Sequence, residues 1–485
     1  MGELSNLYPK ALWQNFESLT QIPRPSKKEK RIIEFMKKFG EELNLETIVD
    51  DVENVIIKKP ATPGMENRKV VVLQGHLDMV PQKNSDVVHD FEKDPIQAYV
   101  DGEWVTAKGT TLGADNGMGV AAAMAVLQAK DIEHGPVEAL FTIDEETGMT
   151  GAFGLKSGLL DGDILLNMDS EDEGELYIGC AGGVNANVKY KFEKKSVPSD
   201  SVAFKLSLTG LKGGHSGLDI ALGRGNTNKL LNRFLWHASN EHGLRIANID
   251  GGSLRNAIPR DSFAVVTVPN SNKEDILKCV EKYNELYKKE LVLTEPELKF
   301  VAEPTNMPEF VIDEITQKNL LAAVYACPNG VIGMVMDMPG VVETSTNMAT
   351  IKFENDEIDI VCLLRSSNDS KKDDLMYMIQ NVFELGGAKI IFDGTYPGWK
   401  PNLDSSILKT MKDVYKNKYG KIPEVKVIHA GLECGIIGDA YPDMDLISYG
   451  PTIRFPHSPD EKVNIDTVKK FWDFTVETLK NIPVK

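Results

Sequence analysis

The run Val70-Val71-Val72-Leu73-Gln74-Gly75-His76-Leu77-Asp78 decides how this chain folds. Val70 to Leu73 is short, wholly apolar and rich in β-branched residues. It lacks the polar alternation of a half-exposed strand, so it suits a strand buried on both faces. It ends on a histidine and an aspartate, and open α/β sheets place their ligands at the carboxyl ends of strands. Ala139 to Ile143 repeats the pattern and runs into Asp144, Glu145 and Glu146. Ile164 to Leu166 does so again and runs into Asn167, Met168 and Asp169. Between the first two runs, Gly117 to Ala129 is rich in helix formers. Upstream, Pro23, Pro25 and Ser26 precede a stretch from Lys27 to Phe39 with Ile32, Ile33, Phe35, Met36 and Phe39 apolar, which predicts a capped amphipathic helix. Strands alternating with helices imply an α/β domain with a mostly parallel, helix-flanked sheet.

The middle of the chain reads differently. Alternating strands such as Ala203 to Thr209 and Phe263 to Val268 mix with amphipathic helices such as Lys273 to Lys288, an α+β pattern. A helix at Ile407 to Tyr419 and a strand at Val425 to Ile428 then return to the first style. A chain of 485 residues is too long for one compact core. The expected organisation is a catalytic domain from residues 1–184 and 397–485, interrupted by an inserted α+β domain at 185–396. The insertion is long enough to hold two similar halves.

Composition narrows the function. A net charge of −18 disfavours nucleic acid and anionic membranes as partners. Five dispersed cysteines without a CxxC pair suggest neither a disulfide framework nor a thiolate zinc site. The N-terminal residues do not read as a secretory leader, and apolar runs are too short to span a bilayer, so a cytoplasmic location is expected.

The polar clusters carry the chemistry. His, Asp and Glu are ligands for zinc, manganese or cobalt. His76 fits a metal ligand with Asp78 on its other ring nitrogen; a surface turn fits the two residues equally. Asp115, between Gly113 and Gly117 at a helix start, reads as an N-cap or as a carboxylate bridging two cations. Glu145 and Glu146, on a segment expected to be extended, would point to opposite sides, one ligating a metal and the other handling water. Three carboxylates after an apolar strand are costly without a cation. Asp169 stands at a strand end. His457, held between Pro456 and Pro459, gains meaning as a second imidazole. In the middle block, His215 sits in a glycine-rich turn, Asn256 offers an amide, and Arg365 a guanidinium suited to a carboxylate. His429 and Glu433, four apart, would share a helix face, with His429 either structural or a substrate contact. His89, His134, His237 and His242 receive no role.

In this order, the motifs around His76, Asp115, Glu145, Asp169, His215, Asn256, His429 and His457 resemble a co-catalytic metallopeptidase family. That family includes aminoacylases, carboxypeptidase G, peptidase T and several dipeptidases, and the resemblance is strongest to its aminoacyl-histidine dipeptidases, from about residue 5 to the C-terminus. The resemblance implies a zinc-exopeptidase-like fold and two divalent ions, Zn2+ first, with Mn2+ or Co2+ as alternatives. His76 and Asp169 would hold one ion, Glu146 and His457 the other, with Asp115 bridging across a cis Asp115–Asn116 peptide. Glu145 would be the general base, Asp78 would orient His76, and His215 would polarise the scissile carbonyl. Asn256, Arg365 and His429 would contact substrate. The inserted domain would act as a lid and a homodimer interface. The implied activity is cleavage of unblocked dipeptides, Xaa-His and β-Ala-His among them. A tripeptidase or N-acyl-amino-acid amidohydrolase of the same fold is one alternative, and a non-catalytic metal-binding protein another. Glu145 argues against the last, since a binding module needs no base beside Glu146.

Overall fold

A computed structural model describes residues 2–354 and 356–485. The chain forms two compact units. One comprises Met1–Cys180, Trp399–Val427 and Leu432–Lys485; the other comprises Ala181–Gly398 and Ile428–Gly431.

The first unit is built on one sheet. From one edge its strands run Glu46–Val49, Val55–Lys59, Val137–Thr142, Val71–His76, Ile164–Asn167, Asp445–Ser448, Glu175–Cys180 and Glu424–Ile428. The central four are mutually parallel. In three of them, Val137–Thr142, Val71–His76 and Ile164–Asn167, the side chains are buried on both faces, and Val72 and Leu73 are fully inaccessible. Each such side chain contributes about 1.5–3 kcal/mol through burial. The flanking pairs are antiparallel, so the sheet is mixed around a parallel centre. Helix Ala114–Gln128 packs along Val71–His76 and Val137–Thr142. The predicted N-terminal helix spans Lys30–Glu42 and has no side-chain cap. It starts three residues later than expected because Pro25 to Lys27 turn the chain, with Lys27 at φ 66°. A second, smaller sheet pairs Ile453–Arg454 with Lys462–Asn464, making a hairpin whose loop carries His457.

The second unit is a nine-stranded antiparallel sheet with helices. Two halves are visible in its topology. Ser201–Thr209, helix Thr227–His242, Arg245–Gly251, Ser262–Pro269, helix Lys273–Glu290 and Lys299–Pro304 form a βαββαβ unit. Gly182–Lys191, helix Glu314–Ala326, Val342–Glu354, Glu357–Ser366, helix Asp369–Leu385 and Lys389–Tyr396 form another with the same strand order. The first is inserted after the opening strand of the second. They join where Arg245–Gly251 meets Val342–Glu354, the corresponding strand in each half.

Candidate metal centre and active site

The parallel strands deliver the polar clusters to one end of the sheet. Val71–His76 ends on His76, Glu145 and Glu146 follow Val137–Thr142, and Asp169 lies two residues past Ile164–Asn167. Asp115 arrives from the start of helix Ala114–Gln128, whose Asp115–Asn116 peptide is cis. Asp115 and Asn116 have non-helical backbone angles, and the Asp115 carboxylate faces His76 and His457 instead of capping the helix.

Asp115 stands between two imidazoles. Its Oδ1 is 3.1 Å from His76 Nε2, and its Oδ2 is 3.2 Å from His457 Nε2. His76 Nε2 also lies 3.3 Å from Asp169 Oδ1, and His457 Nε2 lies 2.9 Å from Glu146 Oε2. Two triads that could each hold a cation result, His76–Asp115–Asp169 and Asp115–Glu146–His457, sharing one carboxylate. His76 presents Nδ1 to Asp78 Oδ1 at 3.3 Å, which leaves Nε2 to face the centre. Asp78 in turn accepts hydrogen bonds from the backbone N–H of Glu145 (3.0 Å) and Glu146 (3.3 Å) and from Ser26 Oγ (2.8 Å).

Glu145 and Glu146 do not lie on an extended segment. Asp144 adopts φ 52°, and Glu145–Gly148 is one helical turn. Glu146 belongs to the triad with His457, while Glu145 approaches His76 and Glu146 without joining the shared Asp115. Burial, with the charges of Asp169, Glu433 and Glu146 outweighing His76, holds the Glu145 carboxyl well above its usual range. Burial likewise pushes Asp169 up to about 6 against the pull of His76. Hydrogen bonds to Asp115 and Glu146 raise the His457 imidazole to about 11. For Asp115 burial acts upward, but hydrogen bonds from His457 and His76 prevail and hold it below the carboxylate range.

This donor set fits divalent cations. Five carboxylates (Asp78, Asp115, Glu145, Glu146 and Asp169) gather around two imidazoles, His76 buried and His457 half-exposed. Buried Glu146 Oε1 has no hydrogen-bond partner, and Asp169 Oδ1 has only the 3.3 Å approach of His76. Oxygen and imidazole donors of this kind match zinc, manganese or cobalt.

Two supporting residues, Glu461 and Arg24, carried no signal in the sequence, and a third, Glu433, was expected only as a helix-face neighbour of His429. Glu461 is buried and accepts hydrogen bonds from the backbone N–H of Leu112, Gly113, Ala114 and Asp115 at 2.7–3.2 Å. It fixes the turn that presents Asp115, and its place four residues after His457 was the available hint. Arg24, between two prolines, donates to the carbonyls of Leu77, Asp78 and Gly113. A Cβ at Gly117 would lie 2.8 Å from its guanidinium and 2.8 Å from the Phe16 ring, so a larger residue there would press on both. Glu433 is also buried. It accepts from Gln74 Nε2 (2.6 Å) and Thr142 Oγ1 (2.8 Å), and burial pushes it up to about 7.

The second unit gathers another group. His215 pairs in a two-residue strand with Ala257, and Ser216 N–H donates to the Asn256 carbonyl at 2.8 Å. The Asn256 side chain is exposed. His215 Nδ1 accepts from the N–H of Gly217 (3.2 Å) and Leu218 (3.0 Å), so its proton resides on Nε2. Arg365 donates to Tyr396 Oη at 3.1 Å and keeps a buried, unpartnered Nε. His429 Nε2 lies 2.7 Å from Ser345 Oγ. Burial, then the charges of Arg365 and His215, lower His429 to about 3. A Cβ at Gly217 would collide with the His429 carbonyl, which accounts for the glycine after His215-Ser216. His429 and Glu433 do not share a helix face. His429 lies in a bend, and helix Glu433–Ala440 begins only at Glu433 because Leu432 is extended.

A sheet of this topology with two triads sharing one carboxylate at its carboxyl end defines a candidate binuclear metal centre. Residues 72–481 match the profile of peptidase family M20/M25/M40. The chain is 47% identical over 486 residues to the cytosol non-specific dipeptidase of Escherichia coli strain K12, covering 100% of both chains. It is 52% identical to the crystal structure of an aminoacylhistidine dipeptidase from Vibrio alginolyticus, with a TM-score of 0.96 and coverage of 100% and 99%. A tripeptidase from Staphylococcus aureus shares the fold at a TM-score of 0.58 and 16% identity, covering 98% and 99%. The chain belongs to peptidase family M20/M25/M40 and is a hydrolase.

Proposed function

We propose that this protein is a metal-dependent dipeptidase cleaving unblocked dipeptides, with Xaa-His substrates, β-Ala-His among them, as its preferred class. The observation that carries the reading is Asp115, shared between two histidine–carboxylate triads with Glu145 beside them. The names of the two full-length relatives support dipeptides as substrates, and the name of the Vibrio alginolyticus relative alone supports the preference for Xaa-His.

His76, Asp115 and Asp169 would hold one ion, and Asp115, Glu146 and His457 the other; Zn2+ would be the first choice, with Mn2+ or Co2+ suited to the same donors. Two such ions, when bound, polarise the scissile carbonyl and acidify water. Glu145 takes a proton from the attacking water and passes it to the amine nitrogen as the C–N bond breaks. Asp78 keeps the His76 ring oriented. His215 is assigned the donation of its Nε2 proton to the carbonyl oxygen, where charge develops. Arg365, His429 and Asn256 are assigned to the substrate, Arg365 to its carboxylate.

The protein is further proposed to act in the cytoplasm and as a homodimer through its second unit. The word "cytosol" in the name of the Escherichia coli relative supports the location, and among the described residues no helix is long and apolar enough to cross a membrane. The exposed apolar strand residues Val331, Ile332 and Met334 support the second unit as the interface.

Hydrolysis of a panel of Xaa-His dipeptides, other dipeptides, tripeptides and acetyl-amino acids tests the reading. Cleavage concentrated on dipeptides supports it. Cleavage confined to tripeptides or acetyl-amino acids transfers the protein to another specificity on the same fold.

A further inference from the structure

Two histidines without a part in the catalytic centre converge on a thiol. His237 and His242 occupy the last two turns of helix Thr227–His242, and Cys279 sits on the buried face of helix Lys273–Glu290 with Ile276 and Val280. A ring nitrogen of each histidine and Cys279 Sγ all lie within 4.8 Å of one another. The His237 and His242 ring centroids are 6.0 Å apart, and the His237 ring rests against Tyr283 at 5.7 Å. Asn272 Nδ2 donates to the His242 carbonyl and fixes the end of the first helix.

We propose that His237, His242 and Cys279 form a third metal site that takes one borderline-soft divalent cation of the Zn2+ class. Bonds of about 2.0–2.3 Å in a tetrahedral site place the donors about 3.5 Å apart. The donors, within 4.8 Å of one another, would close by at most about 1.3 Å to reach that spacing, and both imidazoles are only partly buried. Three protein donors leave the fourth position to solvent. A thiolate with two imidazoles selects Zn2+, Co2+ or Cd2+ over Mg2+ or Ca2+. On binding, the Cys279 S–H bond is replaced by a metal–sulfur bond and the proton passes to solvent. The ion would clip together the two helices of the first βαββαβ half and stabilise it, since only the folded chain holds the three donors together.

The test uses the full chain, stripped with chelator, reloaded with Zn2+ for metal counting or with Co2+ for absorption, and dialysed. The wild type is expected to retain one metal equivalent more than either Cys279→Ser or His242→Gln. It is also expected to show a cobalt–thiolate charge-transfer band that Cys279→Ser lacks. Dipeptide hydrolysis should be equal in all three proteins, which also shows that the variants fold. The catalytic ligands contain no sulfur, so this band reports the new site whatever the fate of the catalytic assignment. Equal metal content in wild type and both variants, or a cobalt–thiolate band that persists in Cys279→Ser, would overturn the proposal.

Discussion

Asp115 and His457 are 342 residues apart in the chain, yet Asp115 Oδ2 lies 3.2 Å from His457 Nε2. The other oxygen of the same carboxylate lies 3.1 Å from His76 Nε2. One anion thus faces two imidazoles from opposite ends of the sequence. This relationship ties the first and last segments into one chemical centre.

Replacing Asp115 with Asn keeps the shape but removes the shared charge. The expected outcome is loss of bound Zn2+ and a fall in dipeptide hydrolysis of at least about 100-fold. Metal analysis after dialysis, paired with a kinetic assay, measures both.

Chelation should act on stability as well as activity. Without cations the clustered carboxylates and imidazoles are left to share protons in a buried setting. A cation at about 100 times its Kd contributes roughly 2.7 kcal/mol to the folded state. Calorimetry should therefore show a lower Tm for stripped protein, restored together with hydrolysis when Zn2+ is returned.

Glu461 gives a sharper test of the support around the centre. Glu461→Ala leaves four backbone N–H groups without their acceptor. The expected cost is about 3 kcal/mol or more in denaturant unfolding. Glu461→Gln, which keeps an acceptor oxygen, should recover a substantial part of it.

His76, Glu146 and Asp169 were legible because each follows a run whose composition forces burial, whereas Asp115 at a helix start and His457 in a proline-flanked loop gained their meaning from the resemblance. Val70 to Leu73, Ala139 to Ile143 and Ile164 to Leu166 can only be central strands, so the residues after them must emerge at one end of the sheet. The supports were not legible. Glu461 looks like one more acid in a polar loop, and Arg24 like a solvated arginine, until the turn at Leu112 to Asp115 is folded against them. The geometry of Glu145 and Glu146 was misread because the left-handed Asp144 turns the chain into a helix at the strand end. His237, His242 and Cys279 carried no pattern at all. Helix packing brings them together, and the 37 positions from His242 to Cys279 conceal it.

His429 should impose a pH dependence on stability. Unfolded, it takes up a proton near its ordinary pKa of 6.5; folded, it stays neutral down to about 3, through burial first and then the charges of Arg365 and His215. Its contribution is complete above pH 6.5 and is lost as pH falls towards 3, because only the unfolded chain binds the proton. The loss by pH 5 is of order 2 kcal/mol. Unfolding curves of wild type and His429→Gln between pH 5 and 8 should converge on the acid side by about that amount.

The most direct measurement is the turnover of Glu145→Gln with its metal content determined on the same sample. The substitution keeps size and hydrogen-bonding shape but removes the base. The expected result is metal content equal to wild type and kcat for a dipeptide lowered about 100- to 10,000-fold. Full hydrolysis by the metal-replete variant would contradict the assignment of Glu145, and with it this account of how the protein works.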